Sequence, residues 1–289
     1  MGRIVWIASF PKSGNTWVRI FLTNYLRGTD VPAQINRLDV DLIASSRQAF
    51  DSMAGVESSE LTDAEVQDLL PAVYRHLARS RDGLVFVKVH HAFERTPSGA
   101  ALFPADVTAR VIYLLRHPAD VAVSLAHHRG LSVASAVRAM SAPAFTLSDS
   151  RDGLPEQLPQ RVGSWAEHVR SWIASGLPID VFRYEDLIQD PHRAFAAIVV
   201  ACGLELDVQR VARAVESSRF DRLKRQEEEG GFAERSPTAD TFFRSGRVGD
   251  WRSVLTSADA RCVIAAHGDV MRQFGYLSQD GRTLLDGLE

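Results

Sequence analysis

The chain has 289 residues, of which 45% are apolar, and a net charge of -3. This length is enough for one substantial hydrophobic core, and the slightly negative charge offers no basic field that would favour nucleic acid as a partner. No apolar run approaches the roughly 20 residues that cross a bilayer, and the N-terminus lacks the pattern of a signal peptide. The composition therefore predicts a soluble cytoplasmic protein with neither nucleic acid nor membrane as a partner.

Taken in chain order, the sequence alternates between short apolar runs and amphipathic patterns. Each apolar run is rich in Val, Ile, Leu or Phe, as expected of a buried parallel strand. This alternation predicts an α/β fold, in which one domain over residues 1–289 has a parallel β-sheet flanked by helices. Pro71 is expected to kink or split the helical pattern around it. The predicted strands are Ile4–Ser9, Leu84–Val89, Arg110–Leu115 and Ile179–Arg183, and the predicted helices are Asn15–Leu26, Thr62–Arg79, Pro118–His128, Val162–Ala174, Phe195–Cys202 and Thr256–Gln273.

Three segments show little periodicity, namely Gly28–Gly55, Ser141–Gly163 and Gln226–Thr241. The first is polar and mixed, the second contains three prolines, and the third is charged and rich in glycine. Ligands of α/β sheets bind beyond the carboxyl ends of the strands, and long irregular loops there usually line or cover the site. We therefore expect these segments to lie around a binding site.

The stretch IVWIASFPKSGNTWVR, Ile4–Arg19, passes from an apolar run through a turn into a helical pattern. Backbone N–H groups at a helix N-terminus attract anions, and Lys12 adds a full positive charge. The spacing G-x-x-x-x-G-K-[ST] of ATP- and GTP-binding loops is absent, because Lys12 precedes the only glycine of the turn. The turn thus predicts a P-loop-like nucleotide-binding core, in which Trp17 offers a flat face to a purine. The predicted anion donors are the backbone N–H groups of Ser13, Gly14, Asn15 and Thr16.

Lysine is scarce, since the 33 basic residues include only Lys12, Lys88 and Lys224. A compact ammonium group approaches a single oxygen atom where a planar guanidinium does not fit, so each lysine is informative. Lys88 lies at the end of the strand in VFVKVHH, and strand alternation puts His90 on the same face. The pair predicts a base and an electrophilic clamp, whereas His91 faces the other way and is expected to pack. Lys224 lies in a charged stretch typical of a solvated surface.

Two further strand ends carry polar residues. Arg116 falls at the end of the third strand and Ser124 lies on the second turn of the next helix, so the two can bracket a second anion. Asp120 is expected to stabilise the start of that helix rather than to touch a ligand. Tyr184 follows the fourth strand in RYEDL, where its hydroxyl can hydrogen-bond a base edge.

The loop FFRSGRVGDWRSVLT, Phe242–Thr256, contains two glycines and three arginines before a capped helix. Successive backbone N–H groups in such a loop can converge on an anion, so the sequence predicts a phosphate nest. Asp250 and Trp251 are expected to hold this loop in place.

These motifs resemble those of the cytosolic-type sulfotransferases, which use 3'-phosphoadenosine 5'-phosphosulfate (PAPS). The family's YPKSGTTW corresponds to FPKSGNTW at Phe10–Trp17, and its K-T-H to Lys88–His90. Its RNPxDxxVS corresponds to RHPADVAVS at Arg116–Ser124, and YEDL is unaltered at Tyr184–Leu187. Its RKGxxGDWKxxFT corresponds to RSGRVGDWRSVLT at Arg244–Thr256, so the resemblance covers most of the chain.

The resemblance implies transfer of a sulfonate group from PAPS to a hydroxyl of a small-molecule acceptor, by in-line displacement and without a metal. The product would be 3',5'-adenosine bisphosphate (PAP). It implies that His90 deprotonates the acceptor, that Lys12 contacts the bridging oxygen and the sulfonate, and that Lys88 stabilises the sulfonate. The other implied donor contacts are Ser13–Thr16 with the 5'-phosphate, Trp17, Tyr184 and Phe220 with adenine, and Arg116, Ser124, Arg244 and Gly246, beside Ser245, with the 3'-phosphate.

Four departures from the family pattern affect these expectations. Ser245 replaces a lysine, which predicts a weaker grip on the 3'-phosphate unless Arg247 compensates. Asn15 replaces a threonine, although its side-chain amide can still donate, and His117 replaces an asparagine. The family's dimerisation motif K-x-x-x-T-V-x-x-x-E becomes RSVLTSADAR at Arg252–Arg261, which leaves the oligomeric state open. Glycopeptide-tailoring bacterial members share the opening IASxPKxGNTWVR, which favours a bacterial enzyme of secondary metabolism.

The resemblance also gives the irregular segments roles. Residues 28–55 and 141–163 are predicted to line the acceptor, whose identity the sequence does not give. Residues 226–241 lie between Phe220 and Arg244, two implied donor contacts, so we expect a mobile lid that becomes ordered when nucleotide binds. A surface loop without a role is the alternative.

Two other functions are alternatives to sulfonate transfer. A P-loop kinase or NTPase needs a Walker lysine-serine pair and a magnesium carboxylate after a strand, and neither is evident. A non-catalytic nucleotide-binding module on the same fold needs no base, so the presence of both Lys12 and His90 argues against it.

Overall fold

The computed structural model describes residues 2–148 and 153–278. A four-stranded sheet lies at its centre, in the order β2-β1-β3-β6, and each neighbouring pair is parallel. The prediction of an α/β domain with a parallel sheet flanked by helices is confirmed. The strands are β1 (Arg3–Ser9), β2 (Leu84–Val89), β3 (Thr108–Leu115), β4 (Thr146–Leu147), β5 (Gln160–Arg161) and β6 (Ile179–Arg183), of which β4 and β5 form a separate antiparallel pair.

The helices pack on both faces of the sheet, and most of them begin at a residue whose side chain caps the first turn. Thr62, Ser164 and Thr256 each start a helix with a capping box, and the helix after Thr256 is capped as the sequence predicts. The helices are α1 (Asn15–Arg27), α2 (Arg47–Ala54), α3 (Asp63–Arg79), α4 (Pro118–Arg129), α5 (Val133–Ser141), α6 (Trp165–Ile173), α7 (Tyr184–Gln189), α8 (Pro191–Ala201), α9 (Val208–Ser217), α10 (Phe220–Gly230), α11 (Trp251–Val254) and α12 (Ser257–Gln273), with a short 3-10 turn at Ser58–Glu60.

The two faces of the sheet bury separate hydrophobic clusters. In β1, Ile4, Trp6 and Ala8 pack on one face with α3, α4 and α6, while Val5 and Ile7 pack on the other with α1 and α8. This alternation with a period of two fixes the strand register. Lys88 pairs with Ile7 and Ser9 with Leu114, so the carboxyl ends of β1, β2 and β3 meet at one edge.

The structure corrects several predicted elements. Helix α3 is not split at Pro71, because the buried residues around it pack on the core and outweigh one missing hydrogen bond. The predicted irregular segment 28–55 contains α2, and residues 226–230 continue α10 rather than forming a loop. Helices α5 and α9 were not predicted at all. Residues 149–152, which belong to the predicted acceptor loop 141–163, lie outside the described residues.

Within residues 2–148 and 153–278, no helix is both long enough and apolar enough to cross a bilayer.

Candidate active site

The carboxyl ends of β1, β2 and β3 open into a cavity of about 620 Å³. Every residue that the sequence nominated for catalysis or donor binding lines this cavity, with the exception of Ser13. The parallel register explains the convergence, since residues that follow neighbouring strands meet at the same edge of the sheet. The nominated residues in the wall are Lys12, Gly14, Asn15, Thr16, Trp17, Lys88, His90, Arg116, Ser124, Tyr184, Phe220, Arg244, Ser245 and Gly246.

The turn between β1 and α1 is held in a conformation that favours glycine. Gly14 has a φ of 96° and precedes α1 without any side-chain cap, so the first N–H groups of the helix stay available to an anion. A Cβ at Gly14 would lie 2.8 Å from Cδ2 of Tyr184, so only glycine fits beneath that ring. Lys12 also has a positive φ, of 69°, which is uncommon for a residue with a side chain.

The side chains of Ser13 and Asn15 are buried in the turn. Ser13 is fully buried below the cavity, and its Oγ has no hydrogen-bond partner. The side-chain amide of Asn15 donates to the carbonyl of Ile7 at 2.8 Å and to Oγ of Ser9 at 3.2 Å, because it points back into the sheet. The expectation that this amide donates to the ligand is therefore wrong, and Asn15 can offer only its backbone N–H.

The two predicted site lysines are close to further charges. Burial, together with Lys88 and Arg116, lowers the pKa of Lys12 to about 7. Burial also lowers the pKa of Lys88, and the carboxylate of Glu234 opposes that shift from 2.9 Å. The Nζ of Lys12 lies 4.0 Å from the centre of the Phe242 ring, which is a cation–π distance. The site therefore holds two lysines whose charge depends strongly on what binds near them.

His90 is fixed by the end of β1. Its Nδ1 lies 2.8 Å from the carbonyl oxygen of Ser9, and burial followed by the charge of Lys88 lowers its pKa to about 3. The carbonyl of His90 accepts from Nε2 of His168, whose Nδ1 is hydrogen-bonded to the hydroxyl of Tyr113. His91 is buried away from the cavity and bonds the carbonyl of Ala92, which confirms the predicted split of the two histidines.

Arg116 spans the space between the opening turn and the C-terminal loop. Its guanidinium donates to the carbonyls of Lys12 at 3.2 Å and Arg247 at 3.0 Å, and it lies 4.3 Å from the centre of the Tyr184 ring. Its buried Nε has no partner. Ser124 lines the same cavity from α4, so the geometry is compatible with the predicted second anion site.

The loop before α11 is held by two carboxylates. Asp120 accepts from the backbone N–H groups of Gly249 at 2.8 Å and Trp251 at 3.1 Å, so its role is to hold this loop rather than to cap α4. Asp250 accepts from Arg244 and from Oγ of Ser245, both at 2.6 Å, as expected of a residue that holds the loop. Ser245, which stands where the family has a lysine, therefore contributes a hydrogen bond to Asp250 within the loop and no positive charge.

Aromatic rings form one side of the cavity. Trp17 donates from Nε1 to the carbonyl of Ser218 at 2.8 Å and packs edge-on against Tyr184. Phe220 begins α10 and lies directly over Gly246, where a Cβ would come within 2.4 Å of its Cδ2. Gly246 also has a φ of 63°, which glycine adopts without strain. Glycine therefore suits this position both because it has no Cβ to clash with Phe220 and because of its backbone conformation.

A sequence profile of the sulfotransferase domain matches residues 3–275. The chain belongs to the sulfotransferase family. Sulfotransferase 1A1 of Bos taurus is 28% identical over an alignment of 263 residues, which covers 87% of this sulfotransferase and 78% of that protein.

Two solved structures share the fold of this sulfotransferase at 20% sequence identity. The mouse sulfotransferase SULT7A1 complexed with PAP gives a TM-score of 0.58, over 94% of this chain and 84% of that one. Retinol dehydratase in complex with androsterone and inactive cofactor PAP gives 0.57, over 93% and 80%. These likenesses support the α/β fold described above.

The far side of the cavity in this sulfotransferase is built from the three segments that the sequence marked as irregular. Residues from 28–55 and 141–163 line it together with residues from 226–241. Their assignment to the acceptor and to a lid stays a prediction. The lining residues from these segments are Ile35, Asn36, Leu38, Asp41, Ile43, Leu147, Ser148, Glu156, Gln157, Gln160, Phe232, Ala233, Glu234 and Arg235.

Arg19 and Glu234 are two of the charged residues of the site that the sequence did not predict. Their side chains form an ion pair at 2.5 Å, although 215 positions separate them. Arg19 is the last residue of the opening motif, and its place next to the predicted anion-binding turn is the sequence feature that could have indicated a role in the site. Nothing in the sequence near Glu234 indicated that a carboxylate would reach the lysines. No group of three or more His, Cys, Asp or Glu side chains able to hold a metal occurs in the part of the chain that the structure describes.

Proposed function

We propose that this sulfotransferase transfers the sulfonate group of PAPS to a hydroxyl of a small-molecule acceptor, with His90 as the base. The observation that carries the proposal is the convergence of Lys12, Lys88 and His90 on one cavity at the ends of β1 and β2. Two structures with this fold are complexed with PAP, the nucleotide that PAPS leaves after transfer. We also propose a cytoplasmic bacterial enzyme of secondary metabolism, on the sequence resemblance alone.

The residues of the cavity fit a donor with several anionic groups. Nε of Arg116 is buried without a hydrogen-bond partner, and such a group is costly unless a ligand satisfies it. The absence of a Cβ at Gly14 leaves the backbone open at the start of α1. Lys12, Lys88 and Arg116 bring more positive charge than the nearby carboxylates balance, which favours an anion.

Each donor contact follows from a group already in place. The first N–H groups of α1 and the hydroxyl of Thr16 would hold the 5'-phosphate, and Lys12 would donate to the bridging oxygen. Arg116 and Ser124, with Arg244 and Gly246, would hold the 3'-phosphate. Trp17, Tyr184 and Phe220 offer ring faces and edges to the adenine.

His90 is suited to accept the proton of the acceptor hydroxyl. A carbonyl oxygen only accepts, so the contact with Ser9 requires the proton on Nδ1 and leaves the lone pair of Nε2 for the acceptor. The low pKa of the free imidazole keeps it neutral at physiological pH. A bound anion offsets the charge of Lys88, which raises the basicity of His90 when the donor is present.

PAPS, when bound, supplies an activated sulfonate on a phosphate leaving group. The protein contributes position and charge, because Lys88 and Lys12 lie where negative charge on the sulfonate and leaving oxygen needs compensation. Lysine suits this task, since a compact ammonium can move between neighbouring oxygens.

Thermal shift measurements test the donor assignment against the kinase alternative. PAP should raise the melting temperature of the protein, and ATP with magnesium should raise it less. The Lys12→Ala variant should lose most of the PAP effect. Lys224→Ala is the matched control, because the third lysine of the chain lies on α10 outside the cavity wall. A larger shift with ATP and magnesium would support the kinase alternative instead.

The acceptor requires a direct search. Panels of phenols, steroids, sugars and aliphatic alcohols would be incubated with labelled PAPS and analysed by mass spectrometry. A product heavier by one sulfonate group that is absent with His90→Ala would support both transfer and the role of the base.

A further inference from the structure

Glu234 lies among the cations of the donor cavity, and the proposed mechanism gives it no role. Its Oε1 lies 2.5 Å from Nη1 of Arg19, and its Oε2 lies 2.9 Å from Nζ of Lys88. The hydroxyl of Thr16 also donates to Oε2, at 3.3 Å. One carboxylate oxygen therefore contacts two of the groups that are proposed to hold the phosphosulfate.

Arg19 keeps Glu234 in this position. The Arg19 side chain is 2% exposed, and its Nε donates to the carbonyl of Val40 at 2.9 Å. A guanidinium stays charged in proteins, and a buried charge without a counterion is strongly destabilising. In the described chain the carboxylate that pairs with Arg19 is that of Glu234, so this ion pair holds the Glu234 carboxylate at the cavity.

Lys88 needs an anion when the donor is absent. Burial disfavours its charged form, and Glu234 opposes that effect at hydrogen-bond distance. The charges of Lys88 and Arg19 in turn hold the pKa of Glu234 well below its usual range, although burial alone would raise it. Glu234 thus supplies the negative charge that a donor sulfonate would bring.

The same stretch of chain covers the second lysine. Phe242 lies 4.0 Å from Nζ of Lys12, and its backbone N–H donates to Glu227 at 2.7 Å. Glu234 and Phe242 therefore each cover one lysine of the pair. A sulfonate that contacts Lys88 would lie next to the Glu234 carboxylate, and two anions at contact distance in a poorly solvated cavity repel each other strongly.

We propose that Glu234 competes with the donor sulfonate for Lys88, and that it thereby determines how well the enzyme distinguishes PAPS from PAP. The carboxylate must leave Lys88 before the sulfonate binds there, so part of the sulfonate's binding free energy is used to displace it. PAP has no sulfonate and leaves the Glu234–Lys88 contact intact. The inference rests on the proposed function, which gives Lys88 the sulfonate.

The test compares the affinities of PAPS and PAP, measured without acceptor, in Glu234→Gln and in the unmodified enzyme. The competing contact is charge-assisted, so Glu234→Gln should bind PAPS about 10- to 100-fold more tightly. The affinity for PAP should change by a smaller factor, because its 5'-phosphate competes with Glu234 only for the hydroxyl of Thr16. Glu229→Gln is the matched control, because Glu229 is exposed and lies outside the cavity wall.

A second variant guards against loss of the fold, since Glu234→Gln leaves Arg19 without a carboxylate. Glu234→Asp keeps the negative charge for Arg19 but is one methylene too short to contact both cations. Glu234→Asp should also bind PAPS more tightly than the unmodified enzyme, but by a smaller factor than Glu234→Gln. Melting curves would accompany each binding series.

The same Glu234→Gln change in a Lys88→Met variant completes a double-mutant cycle. Glu234→Gln should give no gain in PAPS affinity there, because the contested ammonium is gone. A gain that persists without Lys88, equal tightening of PAPS and PAP, or weaker PAPS binding in Glu234→Gln would each overturn the proposal. If the unmodified enzyme bound neither nucleotide, the proposed function itself would fail, which is a separate result.

Discussion

The imidazole Nδ1 of His90 donates a hydrogen bond to the carbonyl oxygen of Ser9, the last residue of β1, at 2.8 Å. The strand end thereby fixes the tautomer of the histidine that follows the neighbouring strand. The hydroxyl of Ser9 lies 3.3 Å from the same nitrogen and accepts from Asn15, so the turn and the histidine share one small network. The proton on Nδ1 leaves Nε2 with its lone pair, as the proposed role of His90 as a base requires.

Replacing His90 or Lys12 by alanine should abolish turnover with different effects on binding. Loss of a general base typically costs about 10²–10⁴-fold in rate, and His90→Ala should retain nearly normal PAP affinity because the base faces the acceptor. Lys12→Ala should lose donor affinity as well as rate. Initial rates and PAP titrations of both variants measure the difference.

His192→Ala is a suitable control for this pair, since His192 is exposed at the start of α8. Full activity in His90→Ala, or a loss in His91→Ala alone, would show that the two histidines have been assigned to the wrong faces.

Donor affinity should fall as the pH rises through about 7. The pKa of Lys12 in the free protein is lowered to about 7 by burial and by the charges of Lys88 and Arg116. Binding of the anionic donor favours the charged form, so affinity is highest below this pH and declines above it, by up to tenfold per pH unit. PAP titrations from pH 6 to pH 9 measure the effect.

Lys12→Arg provides the comparison, because an arginine keeps its charge over this range. Its PAP affinity should vary less with pH than that of the unmodified enzyme. Parallel profiles for the two proteins would mean that another group controls the dependence.

Most of the fold could be predicted from the sequence, because the four strands of the main sheet each combine an apolar run with a clear end, although β6 is only half-buried. The missed helices α5 and α9 lack such runs, although Ser132 and Asp207 cap them with hydrogen bonds at 3.2 Å and 2.9 Å. The glutamate-rich stretch after Phe220 is predicted as part of an irregular segment. It is helical because Glu227 turns inward and accepts from the backbone N–H groups of Phe242 and Phe243.

The site was predictable where its residues follow strand ends within short motifs. The alternation of side chains between the two faces of one strand was enough to predict that Lys88 and His90 lie together. The Arg19–Glu234 ion pair and the contact of Asp120 with Gly249 depend on how distant segments fold over one another. No local pattern encodes such contacts, so the sequence predicts for Asp120 only a role on its own helix.

Arg116→Ala and Ser124→Ala should raise the KM for PAPS and weaken discrimination against donors without a 3'-phosphate. One charge-assisted contact corresponds to about 1.5–3 kcal/mol, which predicts a loss of about 10- to 100-fold for the arginine. Arg193→Ala, an exposed site on α8, is the matched control. Equal use of adenosine 5'-phosphosulfate and PAPS by the unmodified enzyme would contradict a 3'-phosphate site.

Gly246→Ala should weaken nucleotide binding more than it weakens the fold. The new Cβ would lie 2.4 Å from Cδ2 of Phe220, so the ring proposed to contact adenine must shift. Gly55→Ala separates this clash from backbone strain, because Gly55 also has a positive φ, of 73°, but has no atom within 4 Å of the Cβ position. Both variants should lose melting temperature, and only Gly246→Ala should lose PAP affinity. Equal PAP affinities would count against the proposed adenine contact.

The last prediction concerns the proposed lid, residues 226–241. Its first five residues belong to α10, so the part able to move is the stretch from Gly231 onward. Arg235 is exposed there and offers a trypsin site. We expect fast cleavage after Arg235 in the free protein and slow cleavage with PAP, since PAP contacts at Phe220 and Arg244 would draw the ends of the lid together.

Arg81 provides an internal control for this proteolysis, because it is exposed before β2 and lies outside the cavity wall. Cleavage after Arg81 should be unaffected by PAP. Equal slowing at both sites would indicate that the nucleotide stabilises the whole fold, and no slowing at either would remove the lid. Protection confined to Arg235 is the outcome that a lid requires, because a surface loop without a role does not respond to a ligand that it never touches.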